Sequence, residues 1–96
     1  MTTQDPPAAA DRAPLVLDAR GLACPLPVLR ARKMLNRMEP GALLEVLATD
    51  PGSIKDFAAF CRHTGDVLVE SGQEDEVLRY LIRRRDDGAA GAVKKD

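Results

Sequence analysis

The residues of this sequence best suited to chemistry are Cys24-Pro25-Leu26-Pro27. A short apolar run, Leu15-Val16-Leu17, leads through Asp18-Ala19-Arg20-Gly21-Leu22-Ala23 to the cysteine, and an amphipathic, basic helix pattern follows it. The thiol is therefore expected at a helix start, on the turn from a strand. Unpaired N–H groups and the helix dipole favour negative charge there, and such a setting lowers a cysteine pKa from about 8.5 into roughly the 3.5–7.5 range. Proline is tolerated in the first helical turn, where the N–H has no intrahelical partner. The spacing thus predicts Cys24 at the N-cap, Pro25 at N1 and Pro27 at N3, with the N–H groups of Leu26 and Val28 free to point at the sulfur. A thiolate so placed can attack a donor persulfide, accept its terminal sulfur and hold it as Cys-S-SH. The plainer alternative is a small apolar residue buried at a helix start.

The remaining reactive residues are few. Cys61 lies seven positions after Ile54 on an apolar helix face, so it reads as core and remote from Cys24. Two cysteines 37 positions apart match no zinc or Cys-x-x-Cys pattern, and no metal site is expected. His63, the only histidine, tests a cysteine-hydrolase reading. That chemistry needs a base within hydrogen-bond reach of the thiol. His63 falls at the far end of its helix, nearly 20 Å along the axis at about 1.5 Å per residue, and reads as a side chain favoured by the helix C-terminal dipole. Beside Cys24, Gly21 is expected to supply a backbone conformation that other residues resist. Arg20 either steers an anionic persulfide or partner, or is simply solvated.

Several elements must position that thiol within a small chain. Ninety-six residues make one domain. Residues 1–14 and 85–96 lack periodicity and read as disordered tails, which leaves a domain at 15–84. With one Tyr, two Phe and no Trp, its core must be aliphatic. The net charge of -1 gives no whole-chain attraction to nucleic acid. No apolar run approaches the roughly 20 residues of a membrane span. Asp5 and Asp11, with no apolar h-region, argue against a secretory signal, so a cytoplasmic protein with reduced thiols is expected.

Leu15 to Leu17 reads as a short buried strand, and Pro25 to Arg37 as a helix with Val28, Ala31, Leu35 and Met38 on one face. Pro40-Gly41 ends it. Leu43 to Ala48 reads as a second buried strand. Asp50 and Pro51 suit the N-cap and N1 of a second helix that runs to about Thr64, with Gly65 as its C-cap. Its core face is Ile54, Phe57, Ala58 and Cys61. Val67 to Glu70 is a third strand and Ser71-Gly72-Gln73 a turn. The last element is ambiguous. Acidic Glu74-Asp75-Glu76, the spacing of Val77, Leu78, Leu81 and Ile82, and three arginines favour a helix by period and end charges, while Leu78, Tyr80 and Ile82 alternate as in a strand.

One family combines these features. Leu17-Asp18-Ala19-x-Gly21-Leu22-x-Cys24-Pro25-x-Pro27 resembles the signature of the TusA/SirA-like sulfur carriers. The likeness continues through Met38-x-Pro40-Gly41, Thr49-Asp50-Pro51, Phe60-Cys61 and Tyr80-Leu81-Ile82-Arg83. The variable position of the motif, acidic in some members, is Leu26 here. The resemblance implies a fourth strand at the end and an α+β sandwich, β-α-β-α-β-β, with two helices on one face of a four-stranded mixed sheet. It implies that Cys24 is the sulfur-bearing residue, flanked by Arg20, Gly21, Pro25, Leu26 and Pro27. It also lends support to Asp50 and Pro51 as the rim of the site, although a helix cap alone would explain them.

The resemblance implies a sulfurtransferase with no cofactor beyond its own persulfide. A cysteine desulfurase or rhodanese would load it, and a downstream sulfur-relay protein would unload it. The implied end uses are tRNA thiolation, molybdenum-cofactor assembly or dissimilatory sulfur oxidation. Arg30, Lys33 and Arg37 share a helix face that is either a solvated surface or a docking patch for an acidic partner or RNA. It lacks aromatic residues for base stacking, so sequence-specific RNA reading is not expected. A monomer is expected. The rival reading is a non-catalytic regulatory or interaction module that uses the Cys-Pro-x-Pro turn as a recognition surface.

Overall fold

The computed structural model describes residues 13–86. The expected tails lie outside these residues, apart from 13–14 and 85–86. Six elements follow in order: β1 (Leu15–Ala19), α1 (Leu26–Leu35), β2 (Leu43–Ala48), α2 (Ser53–Thr64), β3 (Val67–Glu74) and β4 (Val77–Arg83). The strands form one sheet in the order β1-β2-β4-β3. β1 pairs parallel to β2, and β4 runs antiparallel to both β2 and β3. The fold is the expected α+β sandwich, with both helices packed on one face of a mixed sheet.

The last element is a strand, as the resemblance implied, and its helical period misleads. Leu78, Tyr80 and Ile82 are buried while the residues between them are not. β4 occupies the centre of the sheet, so backbone pairing on both edges and burial of one face outweigh the helical spacing of its leucines. The turn before it moves accordingly. Ser71-Gly72-Gln73, expected as a turn, lies inside β3, and the chain reverses at Asp75-Glu76, where Asp75 takes a positive φ of 57°. An aspartate tolerates that left-handed conformation better than most residues.

β1 reaches Ala19 rather than stopping at Leu17, and it is an edge strand rather than a buried one. Leu15 and Val16 are more than half exposed, and only Ala19 is fully buried. The core comprises Ala31 and Leu35 of α1, Leu44, Val46 and Ala48 of β2, Phe57 and Cys61 of α2, and the inward row of β4. Pro27 is also fully buried, so the second proline of the motif seats α1 on the sheet. On α2, Ile54 is 51% exposed and Ser53 takes the buried place that sequence periodicity gave to Ile54. The reason lies in β4. Ser53 Oγ and Tyr80 Oη are hydrogen-bonded at 2.8 Å beneath the helix start, and the Phe57 and Tyr80 rings stack with centroids 4.5 Å apart. That contact sets the rotation of α2. No helix among the described residues is long and apolar enough to cross a membrane.

Candidate functional site

Both strand–helix turns open on the same end of the sheet, because β1 and β2 are parallel neighbours in register from Leu15↔Leu44 to Ala19↔Ala48. The first turn carries Cys24 and the second carries Asp50. Two bonds join them. Gly21 N–H donates to Thr49 Oγ1 at 2.9 Å, and Cys24 N–H donates to Asp50 Oδ2 at 3.0 Å. Gly21 has φ +84°, a conformation that favours glycine and lets the chain swing back over β2. Asp50 is therefore not the helix cap expected from sequence but a link between the turns. α2 begins at Ser53, with Gly52 rather than Asp50 as its N-cap, so Pro51 precedes the helix. Asp50 and Pro51 instead form the turn into it, their carbonyls accepting from Ser53 and Ile54 at 2.9 and 3.2 Å.

Cys24 lies two residues ahead of the first helical residue, Leu26, with Pro25 at the N-cap. The expected frame is thus shifted by one position. Leu26 N–H is already engaged by the Ala23 carbonyl at 2.8 Å, so it does not point at the sulfur. The start of α2 also lies against the sulfur. A methyl group placed on Gly52 would lie 3.6 Å from Cys24 Sγ, 3.4 Å from its Cβ and 3.1 Å from Asp50 Oδ2. The side chain of Cys24 rests against the bare N-cap of α2 while staying exposed to solvent.

The sulfur itself is hydrogen-bonded. Cys24 Sγ donates to Oδ2 of Asp56, in the first turn of α2. That bond holds the proton on sulfur, and it is the main reason the Cys24 pKa lies above the ordinary thiol value. Partial desolvation and the charges of Asp56 and Asp50 push the same way. The lowered thiol pKa expected from a helix start is reversed here, because two carboxylates face the sulfur. Sequence reasoning missed Asp56. The available signal was an acid six residues after Asp50, one turn into a helix whose start was already expected near Cys24. An acid in that place is ordinarily read as a complement to the helix dipole.

The other residues singled out by sequence divide into three groups. Pro25 and the 43%-exposed Leu26 stand at the surface beside Cys24, and Pro27 is buried beneath. Arg20 is engaged with Asp18, its guanidinium making a two-pronged pair, Nε to Oδ1 at 2.8 Å and Nη2 to Oδ2 at 2.9 Å. That pair holds the Asp18 carboxyl down at about 2. Arg30, Lys33 and Arg37 line a single open groove of about 510 Å³ between α1 and β1, over a floor of Leu17, Leu29 and Met34. Arg37 lies just past the helix, because Arg37 and Met38 bond back to Met34 and Leu35 in a tightened last turn.

Cys61 is buried, and desolvation together with the nearby Asp66 pushes its thiol up to about 11. His63 is exposed. It lines the groove between α1 and α2 that also contains Pro25 and Asp56, but it sits two turns of α2 beyond Asp56, about 10 Å along the axis. Among the described residues no group of three or more His, Cys, Asp or Glu is placed to hold a metal ion.

Comparison with known proteins places this arrangement in a family. The family model described as sulfurtransferase TusA matches residues 15–84. The sulfur carrier protein TusA of Allochromatium vinosum is 56% identical over 68 residues, covering 71% of this chain and 90% of that protein. The sulfur carrier protein TusA of Pseudomonas aeruginosa is 42% identical over 72 residues, covering 75% and 91%. The crystal structure of a SirA-like protein from Desulfitobacterium hafniense superposes with a TM-score of 0.67 at 28% identity, covering 75% of this chain and 99% of that one.

Proposed function

Because this chain belongs to the sulfurtransferase TusA family, whose curated members are named sulfur carriers, we propose that Cys24 accepts sulfane sulfur as a persulfide and passes it to a downstream protein. The observation that carries this reading is the setting of Cys24. It is an exposed thiol on a turn held at its backbone by Asp50 and at its sulfur by Asp56. In loading, Cys24 Sγ attacks the outer sulfur of a donor persulfide. The new S–S bond forms as the donor's S–S bond breaks, and the donor leaves as a thiolate that takes up the proton lost by Cys24. The reverse exchange onto an acceptor thiol discharges the carrier. A cysteine desulfurase or rhodanese is the donor class. The implied acceptors serve tRNA thiolation, molybdenum-cofactor assembly or sulfur oxidation.

Incubation with a cysteine desulfurase and cysteine should add about 32 Da per sulfur to the intact mass, reversibly by reductant. Cys24→Ser should abolish the adduct and keep the fold, and Cys61→Ala should keep the adduct. Unchanged labelling of Cys24→Ser would refute the assignment.

A further inference from the structure

We propose that Asp56 is a catalytic residue of sulfur loading, accepting the Cys24 proton on its carboxylate as the sulfur attacks the donor. The inference rests on the carrier reading and adds the proton acceptor that this reading leaves open.

The geometry carries the argument. Oδ2 of Asp56 is already hydrogen-bonded to Cys24 Sγ, so no rearrangement is needed to transfer the proton. Asp50 is committed to the Cys24 backbone N–H. His63 is out of reach, at the other end of the shared groove. The hydroxyl of Tyr80 is engaged with Ser53 and held protonated, since burial and the charges of Asp50 and Asp56 raise its pKa. Arg32 of α1 lines the same groove, yet neither Asp50 nor Asp56 has an ion-pair partner among the described residues. Asp56 is thus an unneutralised carboxylate bonded to the reacting atom.

The rise in thiol pKa follows from the same bond, and it gives the residue a purpose. A carboxylate that stabilises S–H keeps the resting cysteine neutral and slow towards oxidants. A thiol in that state needs a base at the moment of attack. In the step, the S–H proton moves to Asp56 Oδ2, Sγ bonds to the outer sulfur of the donor, and the donor's S–S bond breaks with its electron pair leaving on the donor thiolate. The proton then passes from Asp56 to solvent or to that thiolate. No net oxidation occurs.

The test measures loading of the full chain by glutathione persulfide at pH 6 to 8, followed by intact mass, for wild type, Asp56→Asn and Asp56→Glu. The rate ratio between proteins at each pH cancels the donor's own titration. Asp56→Asn should load at least tenfold more slowly at pH 7, in keeping with the roughly 10²–10⁴-fold contribution of general bases. The deficit should shrink as pH rises and hydroxide generates thiolate directly, and Asp56→Glu should recover part of the rate. Asp56→Asn loading as fast as wild type, or faster, would overturn the proposal and leave Asp56 a mere suppressor of ionisation. A second measurement needs no variant. Methyl methanethiosulfonate carries no titrating group, so base-assisted attack by wild-type Cys24 should be nearly flat between pH 6 and 8. Attack through preformed thiolate should rise about tenfold per pH unit, and that result would also overturn the proposal. Failure of wild type to take up sulfur at all would instead strike the carrier reading.

Discussion

The Cys24 N–H reaches Asp50 Oδ2 at 3.0 Å across 26 residues of sequence, and this bond ties the two strand–helix turns into one site. Asp50 accepts it with a charged oxygen on a half-buried side chain. Replacing Asp50 with alanine leaves that N–H without its partner. The expected cost is about 1.5 kcal/mol, the low end of the range for bonds to charged groups, because water can reach the turn. Hydrogen exchange at the Cys24 amide should speed up in Asp50→Ala, and sulfur loading should slow. Unchanged exchange at that amide would show that the bond does not hold the turn.

Gly52 is the place where a single methyl group would test the approach to the sulfur. Its φ of -63° suits alanine, so no backbone strain opposes the change. The added Cβ would stand 3.6 Å from Cys24 Sγ and 3.1 Å from Asp50 Oδ2. The carboxylate end can shift by the few tenths of an ångström required. Gly52→Ala should therefore change stability by no more than about 0.5 kcal/mol, measured by urea unfolding. Loading of Cys24 should fall several-fold, since the space beside the sulfur is where a second sulfur would sit. Normal loading in Gly52→Ala would show that the terminal sulfur points elsewhere.

The two cysteines should differ through access rather than through acidity, since both thiols are held above their ordinary value. Cys24 is exposed and Cys61 is buried, so iodoacetamide should label Cys24 alone in the native protein at neutral pH. The Cys61 thiol is raised in the folded state to about 11 from 9.0. The folded state thus holds its proton more tightly than the unfolded chain. The resulting stability is fully present below pH 9 and is lost as pH rises towards about 11. Cys61→Ala should remove that part of the alkaline loss, at a cost of about 1 kcal/mol at neutral pH. Equal labelling of both cysteines in the native state would contradict this division.

Arg30 and Lys33 share the groove beside β1 with Arg37, above exposed or half-buried Leu29, Met34 and Leu17. Neither touches the sulfur. Charge reversal at both should leave loading by a small persulfide intact. Transfer to or from a protein partner should slow about tenfold or more at low salt, and less at high salt, because exposed charges act mainly on encounter. Equal protein-to-protein rates at low ionic strength would reduce the patch to a solvated helix face.

Much of this protein is legible in its sequence. Cys24 at a strand-to-helix turn follows from local signals, an apolar run, a Gly-Leu turn and two prolines that suit a helix start. The burial of Cys61 and the shared face of Arg30, Lys33 and Arg37 follow from a period of 3.6, and the helix stop at Gly65 from glycine's suitability for a left-handed C-cap. Such features depend on residues close in sequence, and the backbone geometry of a helix or turn fixes their relation. What the tertiary structure decided lies across long separations. Residues 77–83 are a strand because they fill the middle of the sheet, against the helical spacing of their leucines. Leu15 and Val16 are exposed because β1 ends up on an edge. The electrostatics of Cys24 changed sign for the same reason. Its own helix start favours a thiolate, but the parallel pairing of β1 with β2 brings a second helix start alongside, and with it the carboxylate of Asp56, 32 residues away in sequence. At contact distance a full negative charge that accepts the S–H bond outweighs a helix dipole of about half a charge, and only the packed sheet sets that distance.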